Sequence, residues 1–245
     1  MSAPAAVILA AGQGKRMKSD LPKVLHEACG RPLVEYVIDA ARAAGAGQIV
    51  LVVGYQQELV REALARQAGI AFAVQDQQLG TGDAVKASRE ALADHEGAVL
   101  VLAGDMPLVS RESLGRLLKL QQDESAACVV GTAQTDQNEG LGRIVRDSDG
   151  VFRRIVEEAD ASPEEKAITE INTGCYAFEA SDLFAALEEI KPENDQTEYY
   201  LTDCAEILLG GGKRVLAECC FDVREAIGVN TREQLAEVEK ILRNG

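Results

Sequence analysis

The chain has 245 residues, with 25 basic against 40 acidic side chains and a formal net charge of −15. That surplus of carboxylates argues against nucleic acid as a main partner, because a nucleic-acid binder neutralises phosphates with clustered Lys and Arg. Apolar residues at 47% against 27% charged exclude a disordered chain, and no apolar run reaches the ~20 residues of a membrane span. The stretch from Met1 to Ala6 lacks the basic flank of a signal peptide, so a cytoplasmic protein with no membrane partner is expected.

The first apolar run, Ala5 to Ala10, ends in Ala11-Gly12-Gln13-Gly14 and reads as a buried parallel strand feeding a glycine loop. After Pro32, the spacing of Leu33, Val37, Ile38 and Ala41 predicts a helix that stops at Gly45 and Gly47. A strand at Ile49 to Val53, a helix over Glu58 to Gln67 and a strand at Ile70 to Val74 complete a βαβαβ alternation. A helix from Gly82 to Leu92, a strand from Ala98 to Ala103 and a helix capped by Ser110 extend it.

From Ala126 the texture changes to short strand-like segments, Ala127 to Ala133, Arg143 to Arg146 and Val151 to Val156, with Asp149-Gly150 as a hairpin signal. These read as antiparallel additions folding over the sheet edge. A strand at Ile171 to Phe178, helices at Ser181 to Ile190 and Glu198 to Leu209, and a strand at Val215 to Cys220 follow. The last helix opens with the capping box Thr231 to Gln234 and runs to Leu242. The expectation is a Rossmann-like three-layer α/β/α fold with a mostly parallel mixed sheet and a small antiparallel substrate-side subregion. No repeat or low-complexity linker divides the chain, so one domain over 1–245 is expected, with a first part at about 1–125, a substrate-side part at about 126–230 and a closing helix at 231–243.

Six scattered cysteines with no Cys-x-x-Cys, and two histidines, make zinc and iron–sulfur sites unexpected; the cysteines read as reduced, small hydrophobes. The adjacent Cys219 and Cys220 are expected on opposite faces of a strand.

The glycine loop after the first strand fits neither the dinucleotide fingerprint, because Met17 stands at the third glycine position, nor the P-loop. What remains is a glycine turn with Lys15 and Arg16, followed by Leu21-Pro22-Lys23. In an acidic protein these cations are either a solvated basic loop or a cradle for a polyanion such as a triphosphate. Asp105, in Gly104-Asp105-Met106-Pro107, follows an all-apolar strand. It stands at a carboxyl end, where open α/β sheets place ligands and where a carboxylate suits Mg²⁺ carried in by phosphates. The alternative is an Asp that only turns the chain.

Eight segments, in order, carry a resemblance: Leu9 to Met17, Leu21 to Lys23, Gln78 to Gly82, Gly104 to Leu108, Gly140 to Ile144, Glu170 to Gly174, Glu198 to Asp203 and Gly228 to Asn230. Together they resemble the sugar-nucleotidyltransferase family, and within it the uridyltransferase domains of bacterial N-acetylglucosamine-1-phosphate uridyltransferases. The resemblance implies that UTP and N-acetyl-α-D-glucosamine 1-phosphate are converted to UDP-N-acetylglucosamine, a cell-wall precursor, and pyrophosphate. Leu9, Ala10, Gly12 and Gly14 match the nucleotide-holding turn, and Arg16 and Lys23 the cations on the triphosphate. Gln75, Gly80 and Thr81 match the uracil-recognition segment, while Gly142, Glu157 and Asn172 match the positions that hold the sugar. Asp105 and Asn230 match the Mg²⁺ ligands, so Arg16, Lys23 and Asp105 are the expected catalytic set and Asn230 contacts both metal and substrate.

Two departures matter. Ala103 stands where many members carry an aromatic residue before Gly-Asp, which removes one sugar contact. The chain also stops at Gly245, where bifunctional members continue into a hexapeptide-repeat acetyltransferase domain. No acetyl transfer and a monomer or weak oligomer are therefore expected. The rival readings are a nucleotidyltransferase for another pair, such as UTP with glucose 1-phosphate, and a non-catalytic sugar-nucleotide sensor. A sensor would be expected to lose Lys23 or the metal pair, and this chain keeps all three.

Overall fold

The computed structural model describes residues 2–244. Strand β1 (Ala5–Ala10) is followed by a two-strand clip, β2 (Glu27–Ala28) with β3 (Arg31–Pro32), and by α1 (Leu33–Ala43). Then come β4 (Gln48–Val53), α2 (Gln57–Ala63), β5 (Ile70–Val74), α3 (Thr81–Lys86), β6 (Ala98–Ala103) and α4 (Arg111–Asp123). The later part holds β7 (Cys128–Gln134), β8 (Arg143–Arg146), β9 (Phe152–Val156), α5 (Pro163–Lys166) and β10 (Glu170–Glu179). It closes with α6 (Ala180–Glu189), α7 (Asp203–Gly210), β11 (Val215–Cys219) and α8 (Arg232–Asn244).

The main sheet runs β11-β7-β10-β6-β1-β4-β5. Strands β5, β4, β1 and β6 are mutually parallel, β10 is antiparallel to both β6 and β7, and β11 is parallel to β7. The apolar runs are continuous because both faces of the sheet are covered. Val7, Val50, Val52, Val99 and Val101 face α3, α6 and α7, whereas Ile8, Leu51, Leu100 and Leu102 face α1 and α4. Since β1 pairs β4 on one side and β6 on the other, the chain order reverses at β1/β6. The crevice outside their carboxyl ends is where such sheets bind ligands. A third cluster of Met17, Ala28, Leu33, Val229 and Val238 joins the loop after β1, the clip and α8 beside that crevice.

The mostly parallel mixed sheet is as expected, and several local details differ. The later strands do not simply fold over the edge: β7 and β10 are central, and only the β8–β9 hairpin leaves the main path, through β8 pairing with β10. That hairpin is anchored by Arg146, whose Nε and Nη2 each donate at 2.7 Å to the two oxygens of Glu170, while Thr132 Oγ1 also donates to Glu170 at 2.7 Å. Burial alone would push the Glu170 carboxyl up; Arg146 and Thr132 outweigh it and hold it below the ordinary range.

The helix expected over Gly82 to Leu92 stops at Lys86, where Ser88 Oγ donates to Val85 O at 2.6 Å and the backbone tightens to i−3 bonds. Helix α2 likewise ends at Ala63 in i−3 turns rather than reaching Gln67. The helix expected from Glu198 begins at Asp203, because the preceding segment is tied edge-on to the α3 entrance: Gly82 N donates to Tyr199 O (2.7 Å) and Tyr199 N to Leu79 O (2.8 Å). Strand β11 ends at Cys219, so Cys220 lies just beyond it. The two expected caps form as read: Ser113 N donates to Ser110 Oγ at 3.2 Å, and Gln234 N to Thr231 Oγ1 at 3.3 Å. All six cysteines are free, and among the described residues no helix is long and apolar enough to cross a membrane.

Candidate functional site

The loop after β1 is shaped by its glycine. Gly14 has φ +69°, and a Cβ there would lie 2.8 Å from Lys23 Cβ, so only glycine lets the Lys23 segment pack against the turn. Gly104 works similarly at the end of β6, where its N–H donates to Leu9 O at 2.9 Å and a Cβ would lie 2.8 Å from that oxygen. Leu9, Ala10, Gly12 and Gly14 therefore run beside the exit of β6, and Asp105 follows directly.

Lys23 Nζ lies 2.5 Å from Asp105 Oδ2 and donates to Asn230 Oδ1 at 3.0 Å, and Arg16 Nη2 donates to the same Asn230 oxygen at 2.9 Å. Residues distant in sequence thus converge on one point. Asn230 is delivered there by the turn before α8: Val229 N donates to Asp105 O at 2.9 Å, and Gln234 Oε1 accepts from Asn230 N at 2.8 Å. Asp105 is buried at 8% exposure, so its charge is shielded from bulk water and met mainly by Lys23.

Gly142, Glu157 and Asn172 form a second group. Asn172 N donates to Gly142 O at 2.8 Å, and a Cβ on Gly142 would stand 3.3 Å from Glu157 Oε2 and 3.5 Å from Asn172 Cβ. Burial pushes the Glu157 carboxyl up, partly offset by Thr202 Oγ1, which donates to Oε1 at 3.2 Å. Asp105 and Asn230 of the first group and Gly142, Glu157 and Asn172 of the second line one cavity of about 770 Å³.

The third expected group lies apart from that cavity. Gln75 follows β5, with its Nε2 donating to Asp83 Oδ2 (2.7 Å) and Gly80 O (3.1 Å), and it lines a separate hollow of about 450 Å³ with Val74, Leu79 and Lys86. Gly80, at φ +119°, admits the backbone of Tyr199, and Thr81 Oγ1 accepts from Leu201 N at 3.0 Å. Gln78 Nε2 donates to Ala11 O at 2.7 Å and links this segment to the glycine loop. A further hollow of about 540 Å³, bounded by Ser2, Gln121, Glu179 and Asp182, lies at the opposite end of the sheet.

Three neighbours of these groups were not among the expected site residues. Gln234 orients Asn230 and was visible only as a capping residue; Thr202 stood inside a stretch read as helix; Tyr176, whose hydroxyl accepts from Asn172 Nδ2 at 2.7 Å, left no signal beyond an apolar strand position. Chemically, the arrangement offers a buried carboxylate and an amide oxygen facing two cations, beside a polar pocket with an acceptor carboxylate. That combination suits an anion with a neutral polar body.

Proteins named bifunctional protein GlmU from Pelotomaculum thermopropionicum and Trichlorobacter lovleyi are each 49% identical, over 98% and 99% of this chain. One from Halalkalibacterium halodurans is 44% identical over 99% of it. The chain spans about half the length of these curated relatives, 52% to 53%. A solved UDP-glucose pyrophosphorylase, complexed with UDP-glucose, superposes with a TM-score of 0.80 at 20% identity, covering 100% of this chain and 99% of its own, and shares the fold. The MobA-like NTP transferase domain family matches residues 6–201, from the first strand to the segment before α7, and this chain belongs to that family.

Proposed function

We propose that the chain is a uridylyltransferase that makes UDP-N-acetylglucosamine and pyrophosphate from UTP and N-acetyl-α-D-glucosamine 1-phosphate. The observation that carries this reading is the cavity lined by Asp105 and Asn230 together with Gly142, Glu157 and Asn172, with Arg16 hydrogen-bonded to Asn230 and Lys23 to both Asp105 and Asn230. An acceptor phosphate attached to a sugar in the second group would reach the first, where the nucleotide phosphates gather. Near-half identity to the GlmU proteins agrees with it.

A phosphate oxygen of the acceptor attacks the α-phosphorus of UTP; the new P–O bond forms as the bond to the β-phosphate oxygen breaks, and pyrophosphate leaves with that electron pair. The attacking oxygen is already anionic, so no general base is required. The chain's task is to align two polyanions and offset their repulsion. Arg16 and Lys23 neutralise charge on the reacting and departing phosphates. Gln75, its amide nitrogen held by Asp83 and Gly80, turns its carbonyl end to the N3–H of uracil, beside Gly80 and Thr81. Glu157 accepts from sugar hydroxyls, and Asn172 and Gly142 bound the N-acetyl sugar.

A divalent cation, with Mg²⁺ the natural choice, fits the donor set: Asp105 Oδ2 and Asn230 Oδ1 are hard oxygen donors directed at one cationic centre, the Lys23 ammonium. Among the described residues no three His, Cys, Asp or Glu side chains cluster as a metal group, so phosphate and water oxygens would complete the shell. When bound, the ion supplies Lewis-acid charge neutralisation on the phosphates. The test is a grid of nucleoside triphosphates against sugar 1-phosphates, including glucose 1-phosphate, with pyrophosphate release followed. Turnover confined to UTP with N-acetylglucosamine 1-phosphate is expected. Turnover only with another pair, or product binding with no turnover, would refute the reading.

A further inference from the structure

The amide of Asn172 is held from both ends. Its Nδ2 donates to Tyr176 Oη at 2.7 Å, and its Oδ1 accepts from Gly174 N at 3.1 Å. In a regular strand, residues four apart have Cα atoms about 13 Å distant, which would spread such a pair. Here β10 bulges against β7: Asn172 pairs Thr132 and Tyr176 pairs Val130, so Thr173, Gly174 and Cys175 face Gly131 alone. Gly174 takes φ +78° at the bulge, and Thr173 Oγ1 pins it by donating to Gly131 O at 2.8 Å. The kink brings the phenol beneath the Asn172 side chain.

Tyr176 is 3% exposed, its ring centroid 5.6 Å from that of Phe178 at a tilt of 31°, and does not line the cavity itself. Burial, with the Glu157 charge second, holds the phenol well above its ordinary range, so it stays a neutral hydroxyl. Turning the amide over would set its NH₂ against the Gly174 N–H, donor against donor. The Gly174 N–H, a donor only, therefore selects one orientation, and the phenol, able to accept or donate, holds the amide in place.

We infer that Tyr176 is a positioning residue for the sugar: it holds the Asn172 amide in place in the acceptor pocket without touching the ligand. The inference rests on the uridylyltransferase reading and adds a residue to it. It implies that recognition of a polar N-acetylhexosamine phosphate depends on a hydroxyl one layer below the pocket, while nucleotide binding does not.

The test is a double-mutant cycle of Tyr176→Phe and Asn172→Ala, with KM measured separately for N-acetylglucosamine 1-phosphate and for UTP. Phenylalanine fills the same space, so the fold is kept and only the hydrogen bond is lost. A lost neutral hydrogen bond predicts a rise of about 3- to 10-fold in the sugar-phosphate KM, with UTP KM within about twofold. In the Asn172→Ala background, adding Tyr176→Phe should change nothing further. An unchanged sugar KM, a parallel rise in both KM values, or the same factor in both backgrounds would overturn the inference alone. A wild-type chain with no turnover of this pair would overturn the function and, with it, the role of Tyr176.

Discussion

Gly80→Ala offers a test of how the α3 entrance and the Tyr199 segment are joined. A Cβ on Gly80 would stand 2.5 Å from Tyr199 O and 2.7 Å from Tyr199 N, contacts with backbone that no rotamer change can relieve. The φ of +119° is also strained for any L side chain, at about 1–3 kcal/mol. Moving Tyr199 away endangers three hydrogen bonds, Gly82 N to Tyr199 O, Tyr199 N to Leu79 O and Leu201 N to Thr81 Oγ1, each worth about 0.5–1.5 kcal/mol. With partial relaxation the sum is about 3–5 kcal/mol, a large share of the ~5–15 kcal/mol that holds a domain together. The same shift withdraws Thr202 from Glu157, so KM for the sugar phosphate should rise. Equilibrium urea unfolding measures the first effect and steady-state kinetics the second. Gly12→Ala is the control, because its added Cβ meets nothing within 4 Å; its stability should stay within about 0.5 kcal/mol of wild type. A Gly80→Ala protein less than 1 kcal/mol below wild type would refute the reasoning.

Burial first, then Glu206 and Asp160, push the Asp203 carboxyl up to about 6, against ~3.9 for an unfolded Asp. Between those values the folded state holds a proton the unfolded state has released, so this group's contribution to stability falls as pH rises from about 4 to about 6. Asp203→Asn should therefore stabilise the protein at pH 7 by on the order of 1 kcal/mol, discounted for partial solvent contact, and by nothing at pH 4. An equal shift in melting temperature at both pH values would contradict this. Lys23 Nζ now occupies the point between Asp105 Oδ2 and Asn230 Oδ1, so Lys23→Ala should tighten Mn²⁺ binding in the absence of nucleotide by about tenfold, read by electron paramagnetic resonance. Unchanged or weaker Mn²⁺ binding would show that these oxygens are not the metal ligands.

Periodicity made most of the fold legible: β5, β6 and β8 begin and end where the sequence pattern places them, and β6 does so as an apolar run dry on both faces. Long-range pairing was not legible. Nothing in the run of Ile171 to Phe178 tells that β10 inserts antiparallel between β6 and β7, since a buried strand reads the same in either direction. The Glu198 segment has helical spacing, yet its backbone donors are taken by the α3 entrance, a tertiary contact outweighing local propensity. At the site, charged residues beside Gly and Pro could be picked out as Arg16, Lys23 and Asp105. Asn230, by contrast, carried no sign of its own, and its approach to Lys23 is set by α8 packing on Met17 and Ala28. Tyr176 and Thr202 act through other side chains, a relation that exists only once the chain is folded.

The most direct test of the account is pyrophosphate release from UTP and N-acetylglucosamine 1-phosphate by the wild type and by Lys23→Ala at saturating metal. Removing a positioned cation from a preorganised phosphate site should lower turnover by about 10²- to 10³-fold while the melting temperature stays within a few degrees. Turnover of Lys23→Ala near that of the wild type would contradict the claim that this ammonium, beside Asp105 and Asn230, holds the reacting anions together.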